Sequence, residues 1–167
     1  MKYYLLHPDV AGEFGDKTVL DATTHPPLVH SLHFKFEGWD GDDIVGCFPV
    51  VLVTKRLADV LISENIRGCT FETAKITKGE YFKSSEPNNV FPQFLWMKVT
   101  GEAGKDQVGL DKYGRLVVSE EVLKILRSFV LKDCEITAFE SASDPKEHLR
   151  LLLQAAREDV QKRYPRP

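Results

Sequence analysis

His30, Cys47 and the aspartates Asp40, Asp42 and Asp43 are the residues of this chain whose types and spacing could support chemistry. Together they are the ingredients of a thiol nucleophile system: a thiolate, a base to generate it, and an acid to orient the base. No nucleophile signature surrounds Cys47, however, and a histidine on the apolar face of a strand more often serves as a hydrogen-bonded core residue. The same three aspartates suit a hard cation, because carboxylate oxygens are the ligands that calcium and magnesium prefer. Their spacing fails the calcium-loop pattern: no glutamate stands at the twelfth position and the required glycine is misplaced. Gly101-Glu-Ala-Gly104 is too short and too acidic to cradle a phosphate. The reading therefore expects no catalytic residue, no metal and no cofactor.

A third use of the acidic segment Glu37-Gly-Trp-Asp-Gly-Asp-Asp-Ile-Val-Gly46 has better physics. An indole among adjacent carboxylates on a glycine-rich turn suits a basic partner, since tryptophan is enriched at interface hot spots and carboxylates steer lysine and arginine. Lys55 and Arg56, nearby, occupy the opening turn of an expected helix, where positive charge opposes the helix dipole. They would meet an acidic group on a partner. The expected contact residues are thus Trp39, Asp40, Asp42, Asp43, Lys55 and Arg56.

Two stretches position these residues. Leu52 to Phe71 and Val117 to Ile136 align without a gap: Val53 falls on Val118, Leu61 on Leu126, Ser63 on Ser128 and Cys69 on Cys134. Each reads as a strand end, a hydroxyl cap (Thr54 or Ser119), an amphipathic helix and a second strand. Gly68 is placed to close the first helix in a left-handed conformation. Glu120 and Glu121 stand in the first turn of the second helix, where the dipole favours them.

Around these units, Lys2–Leu6 and Phe94–Thr100 read as strands. Leu28 to Phe36 alternates as one half-buried strand, with Leu28, His30, Leu32, Phe34 and Phe36 inward. A strand is expected from about Cys69 to Ile76, and Lys78 to Pro92 reads as a polar connection. A terminal helix is expected over 144–163, opened by Asp144, Pro145 and Glu147. The predicted fold is α+β: a single domain over residues 1–167, built from two duplicated strand-helix-strand units plus the C-terminal helix.

The totals set limits. At 167 residues and 43% apolar, the chain suits one domain with a sizeable core. A formal charge of −3 offers no general attraction to nucleic acid or to an anionic membrane. The opening residues are too quickly polar for a secretory signal, and no apolar run approaches spanning length. Three cysteines without close pairing fit reduced thiols in a cytoplasm.

The run Pro26-Pro-Leu-Val-His30, Leu32-His-Phe-Lys-Phe-Glu-Gly-Trp39-Asp-Gly-Asp42-Asp43, Phe48-Pro49 and Val53-Thr54 resembles a group of small bacterial proteins. In that group a histidine, an acidic turn and two Ser/Thr-capped repeats recur. Phe94-Leu-Trp96, Gly101-x-x-Gly104-Lys-Asp106 and Leu116-Val-Val-Ser119-Glu120 extend the likeness through Glu135. This chain departs from it at Asp40-Gly41, where an apolar residue would precede the glycine. Some members are similar to the immunity proteins of bacterial polymorphic toxin systems. That resemblance implies a cytoplasmic, non-enzymatic inhibitor whose partner is a cognate secreted toxin. The rival expectations are a small hydrolase or transferase using His30, Cys47 and the acidic turn, and a homodimeric scaffold joined through the terminal helix.

Overall fold

The computed structural model describes residues 1–84 and 90–140. The expected terminal helix over 144–163 lies outside them. Of the described residues 48% are strand and 12% helical, so the class is mainly β and the α+β expectation is corrected. In chain order the elements are β1 (Tyr3–His7), β2 (Gly12–Phe14), β3 (Val19–Asp21), β4 (Leu28–Ser31), β5 (His33–Trp39), β6 (Ile44–Cys47) and β7 (Val50–Thr54). There follow α1 (Lys55–Ser63), β8 (Cys69–Glu72), β9 (Lys75–Ser84), β10 (Phe94–Val99), β11 (Val108–Leu110), β12 (Leu116–Ser119), α2 (Glu120–Leu126) and β13 (Glu135–Phe139).

The strands form four sheets, in the orders β11-β12-β1-β13, β6-β7-β10-β8, β2-β5-β9 and β3-β4. The repeated stretches do not make self-contained strand-helix-strand units. β7 and β8 both run antiparallel to β10, which stands between them, and β12 and β13 likewise flank β1. Two strands antiparallel to the same neighbour are parallel to each other, and parallel strands need a crossover; α1 and α2 supply it. Each helix is short, and the strand that separates each repeat's two strands, β10 or β1, comes from elsewhere in the chain.

The β6-β7-β10-β8 sheet divides the interior. All five residues of β7 are buried, as expected of an apolar run covered on both faces. Val51 and Val53 face one core, with Met97 of β10, Leu57 and Leu61 of α1, Val122 and Leu126 of α2, and Leu6 and Val118 of the first sheet. Val50 and Leu52 face the other, with Phe94 and Trp96 of β10 and Phe34, Phe36 and Trp39 of β5. That alternation is the two-residue period of a strand expressed on a wall between two cores.

Three local expectations change. Residues 28–36 form two strands in different sheets, not one. Their parity breaks at Ser31 and Leu32, so Val29 is buried while Leu28 and His30 are exposed, and Leu32, Phe34 and Phe36 point inward. The strand expected to end at Ile76 is interrupted after Glu72, and β9 continues through Ser84, pairing parallel with β5 inside what reads as a polar connection. Gly68 does not close α1, which ends at Ser63 with Asn65 left-handed behind it at φ 53°; Gly68 takes a φ of 94° five residues on, where a Cβ would stand 1.9 Å from the Val108 carbonyl oxygen.

Candidate functional site

The acidic turn between β5 and β6 lies against the loop after α2. Asp43 is fully buried, and every polar atom it owns is engaged. Its N–H donates to the Val130 carbonyl at 2.9 Å and its carbonyl accepts the Thr54 N–H at 2.9 Å. Oδ1 accepts from the Thr54 hydroxyl at 2.5 Å and Arg56 Nε at 2.6 Å; Oδ2 accepts from Arg56 Nη2 at 2.5 Å and the Val130 N–H at 2.9 Å. Burial works against the charged carboxylate, but the hydrogen bonds from Arg56, Thr54 and Val130, with the Arg56 charge, outweigh it and hold Asp43 below the usual carboxylate range.

This arrangement also accounts for the cations at the start of α1. Thr54 makes no side-chain cap to the helix, because its hydroxyl is turned to Asp43; in α2 Ser119 does cap, accepting from the Val122 N–H. Arg56 opposes the dipole but pairs with Asp43, while Lys55 bonds Asp59 one turn along at 2.6 Å. Arg56 keeps 62% of its side chain exposed and lies 5.8 Å from the Phe129 ring centroid.

Asp42 holds the same loop from its other end. Its Oδ1 accepts the Lys132 N–H and its Oδ2 the Asp133 N–H, each at 2.9 Å, and its carbonyl accepts Trp39 Nε1 at 2.9 Å. Trp39 is 7% exposed and packs edge-on against Phe91 and Phe94. Of the six expected contact residues, then, Trp39, Asp42 and Asp43 are buried and bonded within the chain, and Asp40, Lys55 and Arg56 are exposed.

Two residues not singled out in the sequence complete the surface. Asp9, after β1, and Asp133, in the loop before β13, approach Asp40 and Asp42. Burial, then the negative charges of Asp133, Asp42 and Asp40, raise the Asp9 carboxyl above its ordinary range. Burial likewise raises Asp42, with Asp133 adding to it, against the lowering effect of the two amides and the Lys132 ammonium. Among the described residues no salt bridge reaches Asp9, Asp40 or Asp133. The only sequence signal for this gathering was an excess of aspartate at three distant turns. Beside it an open cleft of about 410 Å³ runs between Trp39, Arg56, Pro92 and Lys132.

The ingredients of thiol chemistry are not brought together. His30 stands exposed on β4, whereas Cys47 lines a separate 240 Å³ cleft with Phe48, Pro49 and Leu116. Burial and Glu13 push the Cys47 thiol above its ordinary value, the opposite of nucleophile activation. Burial alone pushes Cys69 up to about 11, and burial with Asp42 pushes Cys134 up to about 12. The histidine inside the protein is His33. Its Nε2 is 2.8 Å from the Thr77 hydroxyl, and its Nδ1 is 3.2 Å from the Lys17 N–H and 3.1 Å from Asp16 Oδ1.

Among the described residues no group of three or more histidine, cysteine or acidic side chains is placed to hold a metal ion, and no helix is long and apolar enough to cross a membrane. No protein-family model matches the chain, and no curated protein matches it in sequence.

Proposed function

We propose that the protein is an immunity-type inhibitor that binds a cognate bacterial toxin in the cytoplasm and neutralises it by occlusion, without catalysis. One observation carries the reading: Asp9, Asp40 and Asp133, from three distant parts of the chain, gather at one surface around the buried Asp42, and their charges together raise the Asp9 carboxyl. Neighbouring negative charges disfavour the ionised Asp9, and a cationic partner relieves that repulsion on binding. The surface is also fixed beforehand, because Asp42 and Asp43 bind the 130–133 loop through four separate groups, and a pre-ordered surface loses less entropy on association. Asp40 leads the contacts, with Asp9 and Asp133 beside it. Arg56 lines the neighbouring cleft, with Lys55 next to it in the chain, and both would meet acidic groups of the partner. The buried Trp39 acts from below, holding the turn.

The test is co-expression with the toxin encoded beside the gene, followed by affinity capture. Rescue of growth and co-purification are expected, with association slowed by salt and by Asp40→Lys paired with Asp133→Lys. Absence of both rescue and capture removes the proposal's support.

A further inference from the structure

We propose that β9, on the opposite side of β5 from β2, is a docking edge for an extended acidic peptide, distinct from the aspartate surface and independent of the toxin reading. Among the described residues β9 forms a ladder with β5 alone. The Lys75 N–H donates to the Leu32 carbonyl, so in this parallel pair residues 75 and 77 turn their backbone groups to β5. Ile76 and Lys78 therefore point their N–H and C=O groups at the open edge, offering two donors and two acceptors to another strand.

Beside that edge lies a groove of about 650 Å³, bounded by Ile76, Thr77 and Lys78 on one side and Phe91, Pro92 and Phe94 on the other. It can take one apolar side chain of a strand laid along β9, as pockets do in strand-addition complexes. Charge chooses the guest. Lys75, Lys78 and Lys83 project from β9 against a single acid, Glu80, in a chain whose net charge is −3. None of the three lysines has a carboxylate partner among the described residues; Lys78 instead rests 4.6 and 4.8 Å from the Phe91 and Phe82 ring centroids, at the groove.

Lysine and bulges on an edge strand normally discourage pairing. Here the register shift begins only after Lys78, so Lys75–Lys78 remains a regular template and the bulge limits its length. The lysines then repel basic or purely apolar strands and admit one bearing carboxylates, which is selection by repulsion as much as by attraction. A polyanion would satisfy the lysines but leave the outward backbone groups and the apolar groove unused.

The experiment is an NMR titration of the ¹⁵N-labelled full chain with a blocked heptapeptide that alternates glutamate with valine around a central phenylalanine. The controls are the same peptide with lysine for glutamate, and a thymidine oligonucleotide. Expected are shifts confined to residues 75–78 and 91–94, at least tenfold weaker binding by the lysine peptide, and at least fivefold weaker binding by Lys78→Glu. Ile76→Pro, which removes an outward donor and spares the ladder to β5, should also abolish the peptide shifts, with Lys78→Glu covering the case in which that variant does not fold. Shifts elsewhere, equal binding of both peptides, binding of the oligonucleotide alone, or an edge already filled by a second copy or by residues 141–167 would overturn the proposal.

Discussion

Asp43 and Val130, 87 positions apart, are joined by two reciprocal hydrogen bonds: the Asp43 N–H donates to the Val130 carbonyl, and the Val130 N–H donates to the Asp43 carboxylate, both at 2.9 Å. The pair fastens the acidic turn to the loop after α2, and Arg56 completes the carboxylate's coordination from the solvent side. The resulting asymmetry, an exposed cation serving a buried anion, makes the consequences of breaking it predictable.

Arg56→Ala removes the charged donors and leaves the buried carboxylate with Thr54 and Val130. Because hydrogen bonds to charged groups contribute about 1.5–3 kcal/mol, and this one is open to solvent on one side, a loss at the lower end of that range is expected. The pH dependence carries more information. Asp43 is held below its unfolded value, so its contribution is present above the ordinary carboxylate range and is lost as pH falls through the folded pKa. In the variant that pKa moves up toward the unfolded value, so less stability is lost on acidification: urea midpoints measured from pH 2 to 7 should fall less than in the parent, and the deficit seen at pH 7 should shrink as pH drops. Superimposable profiles would show that Arg56 does not hold the charge.

Asp9→Asn should act in the opposite direction. Asp9 is raised by burial and by its acidic neighbours, so ionising it costs stability, and that cost appears as pH climbs from the unfolded value through the folded one. The variant should match or exceed the parent's stability at pH 7, by about 0.5 kcal/mol or less, with no gain below pH 4. If the aspartate surface binds a basic toxin, the same change weakens capture. Stability and binding moving apart is the signature of a surface kept for a partner.

The thiols offer a separate check. Iodoacetamide at pH 8 should label Cys47 more slowly than free cysteine, and Cys69 and Cys134 only once the chain is unfolded, since their pKa values are pushed to about 11 and about 12. Mass spectrometry of time points reads this directly. Rapid labelling of Cys47 near neutral pH would revive a nucleophile there.

The histidines should separate just as sharply. His30→Ala, on the exposed side of β4, should change stability by no more than about 0.5 kcal/mol. His33→Ala orphans the Lys17 amide and the Thr77 hydroxyl and should cost about 1–3 kcal/mol. Equal effects in thermal melts would contradict the burial of one and not the other.

That exchange of histidines shows where sequence reasoning ran out. Alternation over Leu28 to Phe36 is real within each half, but a parity break between adjacent strands leaves no mark in residue type. It moved His30 outside, while His33 keeps the face opposite Phe34 and Phe36 and is buried there by the turn around Gly15 and Lys17 and by Thr77. The helix starts and the Ser119 cap were legible because capping hydroxyls and apolar spacing are local properties, whereas the end of α1 was misplaced: the left-handed Asn65, not Gly68, follows its last turn. The sheet order was not, since β1 and β10 enter between strands that follow or precede them by many residues. At the site, the sequence singled out the aspartates but not their use. Asp42 and Asp43 look like an offered acidic lip until the amides at 130, 132 and 133 arrive to bind them, and only long-range pairing reveals that. The half-buried Asp9 and the exposed Asp133, which complete the charged surface, lie in turns that nothing local distinguishes.

The place of β1 has a further consequence for how the chain is made. Tyr3–His7 is made about a hundred residues before the other members of its sheet, residues 108–110, 116–119 and 135–139, yet occupies the middle of that sheet. The nascent protein must hold both edges of that ribbon unsatisfied through more than a hundred codons, and bulky fusions ahead of Tyr3 would press on the interior of a sheet where most proteins have a free margin.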